Sequence, residues 1–324
     1  MLAGVLFALT AGLMWGLVFV APLMLPDYPP ALLTTGRYLA FGLIALPLAL
    51  MDRGSLRGLT PADWWAAVRL SAVGNFLYYL TLAAAIQRAG APLPTMLIGT
   101  LPVVIAISAN HRNRVRDGKL PWARLLPGLL LIAAGLLLVN RSELAALQAA
   151  GAGPDALRRY VEGGLLAVIA VACWTWYPIR NADWLREHAD RSPRAWATAQ
   201  GLVTLPMALI GMIIVVELQA LWPGLLMPAG FDWPLGPQPL NYIGLMLAIG
   251  LFSSWLGTLC WNEASQRLPT SLSGQLIVFE TLAALGYAFA WKQQMPPAAT
   301  LAGIALLVAG VVSALRIKTV AHAA

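Results

Sequence analysis

Two charges stand deep inside long apolar runs, Arg37 in LLTTGRYLAFGL and Glu280 in QLIVFETLAAL. In a bilayer, a charge at mid-depth costs at least about 2.5–3.5 kcal/mol, so it must face protein and find a partner. Glu280 reads either as a protonatable coupling group, as a ligand for an ammonium group, or as a structural acid tying helices together. Arg37, about two turns into its run, either meets a carboxylate, snorkels to the surface, or pairs with an acid. Aromatic and polar side chains share such runs: Trp15, Tyr78, Tyr79, Trp174, Trp176, Tyr177 and Trp255, with Asn75, Thr81, Thr100, Ser253, Ser254 and Gln275. Aromatic walls with a few polar groups suit an amphipathic or aromatic ligand. Each residue alone also serves ordinary helix packing or an interhelical hydrogen bond worth about 0.6 kcal/mol. The candidate binding set is Trp15, Asn75, Tyr78, Tyr79, Thr100, Trp174, Trp176 and Gln275.

No catalytic constellation accompanies them. His111, His188 and His322 fall in polar segments, and the chain has no HExxH motif and no paired acids at depth. Cys173 and Cys260, both in apolar runs, read as small packing residues. The sequence therefore predicts a non-enzyme with no metal and no cofactor.

The elements that hold these residues are set by composition. Of 324 residues, 59% are hydrophobic and 11% charged, against about 25% charged in soluble domains. The mean hydropathy of +0.72 makes lipid the expected solvent. The formal charge of +7 then belongs to basic loops at a membrane rather than to nucleic acid binding. A spanning helix needs about 20 apolar residues, and ten runs qualify: Leu2–Pro22, Ala31–Met51, Trp64–Gln87, Ala91–Asn110, Pro121–Asn140, Val161–Ile179, Ala195–Glu217, Leu240–Asn262, Thr270–Trp291 and Pro297–Leu315. The first run reads as a retained helix rather than a cleaved signal peptide. Fourteen Lys and Arg fall on the side holding both termini and five on the other, which places both termini in the cytoplasm. Trp64, Trp65, Trp122, Trp184, Trp196, Trp222, Trp233 and Trp291 stand near run ends and read as interface anchors. Leu218–Pro239 reads as an irregular external loop.

The chain also matches itself. A shift of 179 residues lays Leu77, Leu80, Ala85, Gln87, Arg88 and Leu93 on Leu256, Leu259, Ala264, Gln266, Arg267 and Leu272. A shift of 175 lays Gly128 and Gly135 on Gly303 and Gly310, and a shift of 159 lays Trp15 on Trp174. The sequence predicts an all-α polytopic membrane protein with ten transmembrane helices, built as two five-helix repeats (1–145 and 161–324) joined by an external linker (146–160). Because five is odd, the second copy is inverted, the architecture of secondary transporters around a central cavity. Gly128 and Gly135, seven residues apart, share a helix face, as do Gly303 and Gly310. They predict packing either of spans five and ten on each other or within each half. Pro102 reads as a mid-span bend, with Pro47, Pro127, Pro178 and Pro206 interrupting other spans.

The stretch Trp261–Val312 resembles the second repeat of the ten-helix drug/metabolite transporter superfamily, EamA type. LMWGLVFV around Trp15 and ACWTWY around Trp174 resemble its repeat openings. GRYLAFGLIALP, AIQRAGAP followed by GTLPVVI, and WATAQGLVTLP look most like the bacterial aromatic amino acid exporters of YddG type. The family's Glu-Pro pair survives as Glu280-Thr281 in one copy and Leu101-Pro102 in the other. The resemblance implies a secondary transporter of the bacterial inner membrane, acting as a monomer. It would export neutral and aromatic amino acids and related metabolites by alternating access. Other small metabolites, hydrophobic drugs or a phosphorylated-metabolite antiport are the alternatives. Phosphorylated substrates would call for cations in the cavity, and Arg37 and Arg69 are the ones at hand. The expected pocket is mostly uncharged.

Overall fold

In a computed structural model the protein is all helical over the described residues, 2–112, 122–149, 151, 153–227, 230–268 and 276–316. The helices are α1 (Leu2–Gly16), α2 (Ala21–Met24), α3 (Pro30–Met51), α4 (Arg53–Arg57), α5 (Pro61–Leu70), α6 (Tyr78–Ala89), α7 (Pro92–Ile98), α8 (Leu101–Arg112), α9 (Trp122–Ala149), α10 (Pro154–Glu187), α11 (Pro193–Leu221), α12 (Pro239–Ile249), α13 (Gly257–Arg267), α14 (Val278–Lys292) and α15 (Ala298–Leu315). Six continuous stretches are long and apolar enough to cross a membrane: Leu2–Met24, Pro30–Met51, Pro61–Ala89, Ala123–Ala149, Pro193–Leu221 and Pro239–Arg267. The other four spans read from the sequence correspond to α7 with α8, α10, α14 and α15. Within the segment 146–160, α9 extends to Ala149 and α10 starts at Pro154.

Helix pairing follows the sequence repeat. Helix α10 packs on α6 and α7 as α1 packs on α13 and α14, while α3 pairs with α11 and α9 with α15. Exchanging the two copies turns the α10–α6 pairing into α1–α13 and leaves the α3–α11 and α9–α15 pairings as they are. The repeat reaches single contacts. Gly4, Ala8, Ala11 and Trp15 fall on Gly163, Ala167, Ala170 and Trp174 under the 159 shift, and all are buried. A Cβ on Gly4 would stand 2.8 Å from Leu268, and one on Gly163 would stand 2.7 Å from Ala89. Leu268 and Ala89 are themselves 179 residues apart. These small residues let backbones approach where apolar side chains alone give no preference over lipid.

Two further features are duplicated. Ser71–Leu77 and Gly250–Leu256 are both π-helical, again 179 residues apart. Each joins two α-helices within one span and widens the turn that carries Asn75 or Ser254. Such local widening recurs at functional sites. The glycine faces of α9 and α15 meet directly: a Cβ on Gly135 would lie 2.6 Å from the Gly303 carbonyl, and one on Gly310 would lie 2.6 Å from that of Gly128. The alternative of packing within each half does not describe these faces. The interruption of span four read at Pro102 falls just ahead of that residue. Span four breaks at Gly99–Thr100, and Pro102 sits in the first turn of α8, where a helix lacks an intrahelical acceptor for its N–H anyway.

Candidate functional site

The cavity between the two copies is built from six places in the chain. Helix α1 brings Trp15 and α3 brings Arg37 and Tyr38. The first π-helical segment and the start of α6 bring Gly74, Asn75 and Tyr78. Helix α10 brings Trp174, the second π-helical segment with α13 brings Ser253, Ser254 and Thr258, and the first turn of α14 brings Glu280. The free space among them is about 10 Å³, room for about one water molecule. A larger ligand enters only after helices separate.

Aromatic rings form one wall. Trp174 stacks between Tyr78 (centroids 4.5 Å apart) and Tyr177 (5.0 Å), and Trp15 meets Trp174 edge-on at 5.1 Å. Such pairs contribute about 0.5–1.5 kcal/mol each beyond area burial. The π-helical segment Gly250–Leu256 is tied to α1 by the Ser253 hydroxyl, which donates to the Met14 carbonyl at 2.5 Å. The Ser254 hydroxyl donates to the Ile249 carbonyl at 3.3 Å and accepts from Arg37 Nε at 2.9 Å.

Most of the lining is uncharged, but it holds one basic and one acidic side chain. Arg37 is 4% exposed and Glu280 1% exposed, and both line the same cavity. The Arg37 guanidinium lies over the rings of Tyr79 at 4.5 Å and Tyr38 at 5.0 Å. Among the described residues no carboxylate lies within ion-pair distance of it. Its snorkelling or acid-paired alternatives therefore do not describe its position. Arg37 NH1, both Glu280 carboxyl oxygens, Trp174 Nε1 and the hydroxyls of Tyr38, Tyr78 and Tyr79 find no hydrogen-bond partner among the described residues. Among the described residues only Thr95 and Thr281 add to that set. A stranded buried polar group costs about 1–3 kcal/mol and more when charged, so their concentration around one cavity marks a place shaped for something other than stability.

Of the sequence candidates, Trp15, Asn75, Tyr78, Trp174, Arg37 and Glu280 come together here. Tyr79 lies behind Arg37 as a ring beneath its guanidinium. Thr100 is not at the cavity, because its hydroxyl turns back onto the Leu97 carbonyl at 2.7 Å in the break of span four. Trp176 is also away from it: it is half-buried, and its position two residues from Trp174 turns it to another helix face. Gln275 lies outside the described residues. Tyr38 and Thr258 escaped the sequence reading. Thr258 was legible, since it stands four residues after Ser254 on one helix face. Tyr38 was not, because residues adjacent in a helix do not share a face.

Both ends of the cavity are closed. At the end where α3 stops and α5 begins, Asp52 accepts from Arg194 Nε at 2.8 Å and from the Thr198 hydroxyl at 2.9 Å. Asp63, in a capping box with Thr60, accepts from Trp184 Nε1 at 2.9 Å. Trp184 and Trp196 stack at 3.5 Å and are buried, so they are packing residues of this seal rather than interface anchors. Asn181 bonds Asn262 at 2.9 Å and accepts from Trp196 Nε1 at 2.8 Å. At the opposite end Tyr28 stacks on Tyr242 at 5.0 Å and donates to the Leu235 carbonyl at 2.7 Å, while Gln87 donates to the Tyr28 carbonyl at 2.8 Å. Tyr28 thus ties Leu235 and Gln238 of the segment before α12 to the bundle.

The comparisons with known proteins agree with this architecture. The EamA-like transporter family matches residues 2–141. The chain is 54% identical over 318 residues to the inner membrane protein YtfF of Escherichia coli (strain K12), covering 98% of this chain and 96% of that protein. A solved crystal structure with 19% identity superposes with a TM-score of 0.62 over 96% of both chains, which speaks to the fold. A duplicated bundle of apolar helices, closed at both ends around a central cavity, is the form of a carrier for small molecules, and the relatives agree: this chain is a multi-pass membrane protein that belongs to the EamA-like transporter family.

Proposed function

We propose that the protein exports neutral amino acids, aromatic ones among them, and related metabolites from the cytoplasm by alternating access through the central cavity. The carrying observation is the cavity itself. It lies between the two repeats, is walled by Trp15, Tyr78 and Trp174, and is lined by buried polar groups that lack partners in the protein. The two closed ends support a cycle in which the seals open in turn. The resemblance to amino acid exporters supports the substrate class, and the basic bias of one set of loops supports cytoplasmic termini. The name of the Escherichia coli relative supports placement in the bacterial inner membrane. Because one chain holds both repeats, the working unit in this reading is a monomer. A phosphorylated substrate is disfavoured, since the described lining holds a single cation, Arg37, together with an acid, Glu280. Purified protein in liposomes preloaded with unlabelled phenylalanine should take up labelled phenylalanine and leucine in saturable counterflow. Absence of counterflow for every amino acid, with flux of another metabolite, overturns the substrate assignment.

A further inference from the structure

The cavity holds two opposite charges that the protein does not join. Arg37 comes from the first repeat and Glu280 from the second, and each is nearly fully buried. Arg37 is held in place without being neutralised. Ser254 fixes its Nε at 2.9 Å, and the rings of Tyr38 and Tyr79 cover its faces, while NH1 keeps no acceptor. Among the described residues both oxygens of Glu280 likewise keep no donor. A buried guanidinium and a buried carboxyl group that line one small space without pairing are complementary to a molecule that carries a carboxylate and an ammonium on one carbon.

We infer that Arg37 and Glu280 form a two-pole clamp that makes the carrier selective for zwitterions. The substrate's α-carboxylate docks on the Arg37 guanidinium, its α-ammonium docks on the Glu280 carboxylate, and its side chain lies along the Tyr78–Trp174–Tyr177 ring column. This rests on the reading of the cavity as an amino acid site, and it names what recognises the amino acid. Guanidinium donors in a fixed plane match a carboxylate. A substrate lacking either pole strands the opposite protein charge in a dry cavity, so rejection is expected to be at least about tenfold, as for other sites that pair a specific substrate group. The ring column discriminates side chains weakly by comparison, which gives a carrier strict about the backbone of its substrate and tolerant of the rest.

The test is competition in proteoliposome counterflow of labelled phenylalanine, using unlabelled phenylalanine, phenethylamine (no carboxylate) and 3-phenylpropionate (no ammonium). With the native chain, both analogues should compete at least about tenfold more weakly than phenylalanine. In Glu280→Gln the preference should move toward 3-phenylpropionate, and in Arg37→Gln toward phenethylamine, while phenylalanine weakens in both. Equal competition by either analogue in the native protein, or shifts in the same sense for the two variants, overturns the clamp. Should a variant fail to elute as a monodisperse species, the native series alone decides. Counterflow of amino acids with undiscriminating analogues sinks the clamp and spares the proposed function. Absence of all amino acid flux sinks both.

Discussion

Trp15 and Trp174 occupy equivalent positions of the two sequence copies and meet each other edge-on, ring centroids 5.1 Å apart and planes at 79°. Residues related by a pseudo-twofold can touch only near its axis, so this contact places the axis at the cavity wall. Trp174 alone continues into the stack with Tyr78 and Tyr177, and Trp15 instead packs against Trp261 at 5.3 Å. The repeats therefore supply the frame symmetrically and the binding surface asymmetrically.

The ring column yields the first prediction. Trp174→Ala removes the ring at the centre of the column, against Trp15, Tyr78 and Tyr177, and Tyr78→Ala removes a ring at its edge; a ring stacked on a substrate ring contributes about 0.5–1.5 kcal/mol. Amino acid counterflow should fall by about tenfold or more in Trp174→Ala, since about 1.4 kcal/mol is a factor of ten, and less in Tyr78→Ala. Parental rates in both variants, at normal folded yield, would show that the column does not contact substrate.

The glycine seam between α9 and α15 yields the second. Gly310→Ala puts a methyl within 2.6 Å of the Gly128 carbonyl, a backbone atom that cannot step aside. Overpacking of this kind costs about 1–3 kcal/mol, so the thermal midpoint of the detergent-purified protein should drop by several degrees. Gly286→Ala is the matched control, because its added Cβ has nothing within 4 Å. Similar midpoints for the two variants would mean that the seam tolerates separation.

Third, the Asp52–Arg194 contact should hold one end shut. Arg194→Ala leaves Asp52, 4% exposed, with the Thr198 hydroxyl but without its cation. The pair is buried only on its Asp52 side, since Arg194 is exposed, and opening this end restores water to the stranded acid. With Thr258→Cys as a cavity reporter in a chain lacking Cys173 and Cys260, labelling by a water-soluble maleimide should rise several-fold when Arg194→Ala is added. Unchanged labelling would make the contact a static surface tie.

The π-helical segments give a fourth prediction. Deleting Val73 lets Ser71–Leu77 relax to an ordinary α-helix, because a π-helical bulge accommodates about one extra residue. That turns Asn75 relative to the cavity while leaving the apolar length of the span nearly intact. Folded yield should persist and counterflow should fall at least about tenfold, in line with the cost of misplacing binding groups. Full activity would show that the widened turn is incidental.

The sequence by itself determined the solvent of this protein, its helical class, its duplication and the elements that line its centre. Those properties are written locally: in the length of apolar runs, in the spacing of glycines, and in matches between distant stretches. Even Trp15, Asn75, Tyr78 and Trp174 could be chosen, because they are large or polar side chains within apolar runs. Tertiary structure alone decided that Arg37 and Glu280 share one cavity without pairing, that Trp184 and Trp196 are buried in a seal, and that span four breaks ahead of Pro102. The reason is physical. In a soluble helix the buried face announces itself by apolar periodicity. Here lipid and protein interior are both apolar, so a residue's neighbours depend on helix rotation and crossing, which close backbone contacts and the two π-helical turns set between segments far apart in the chain.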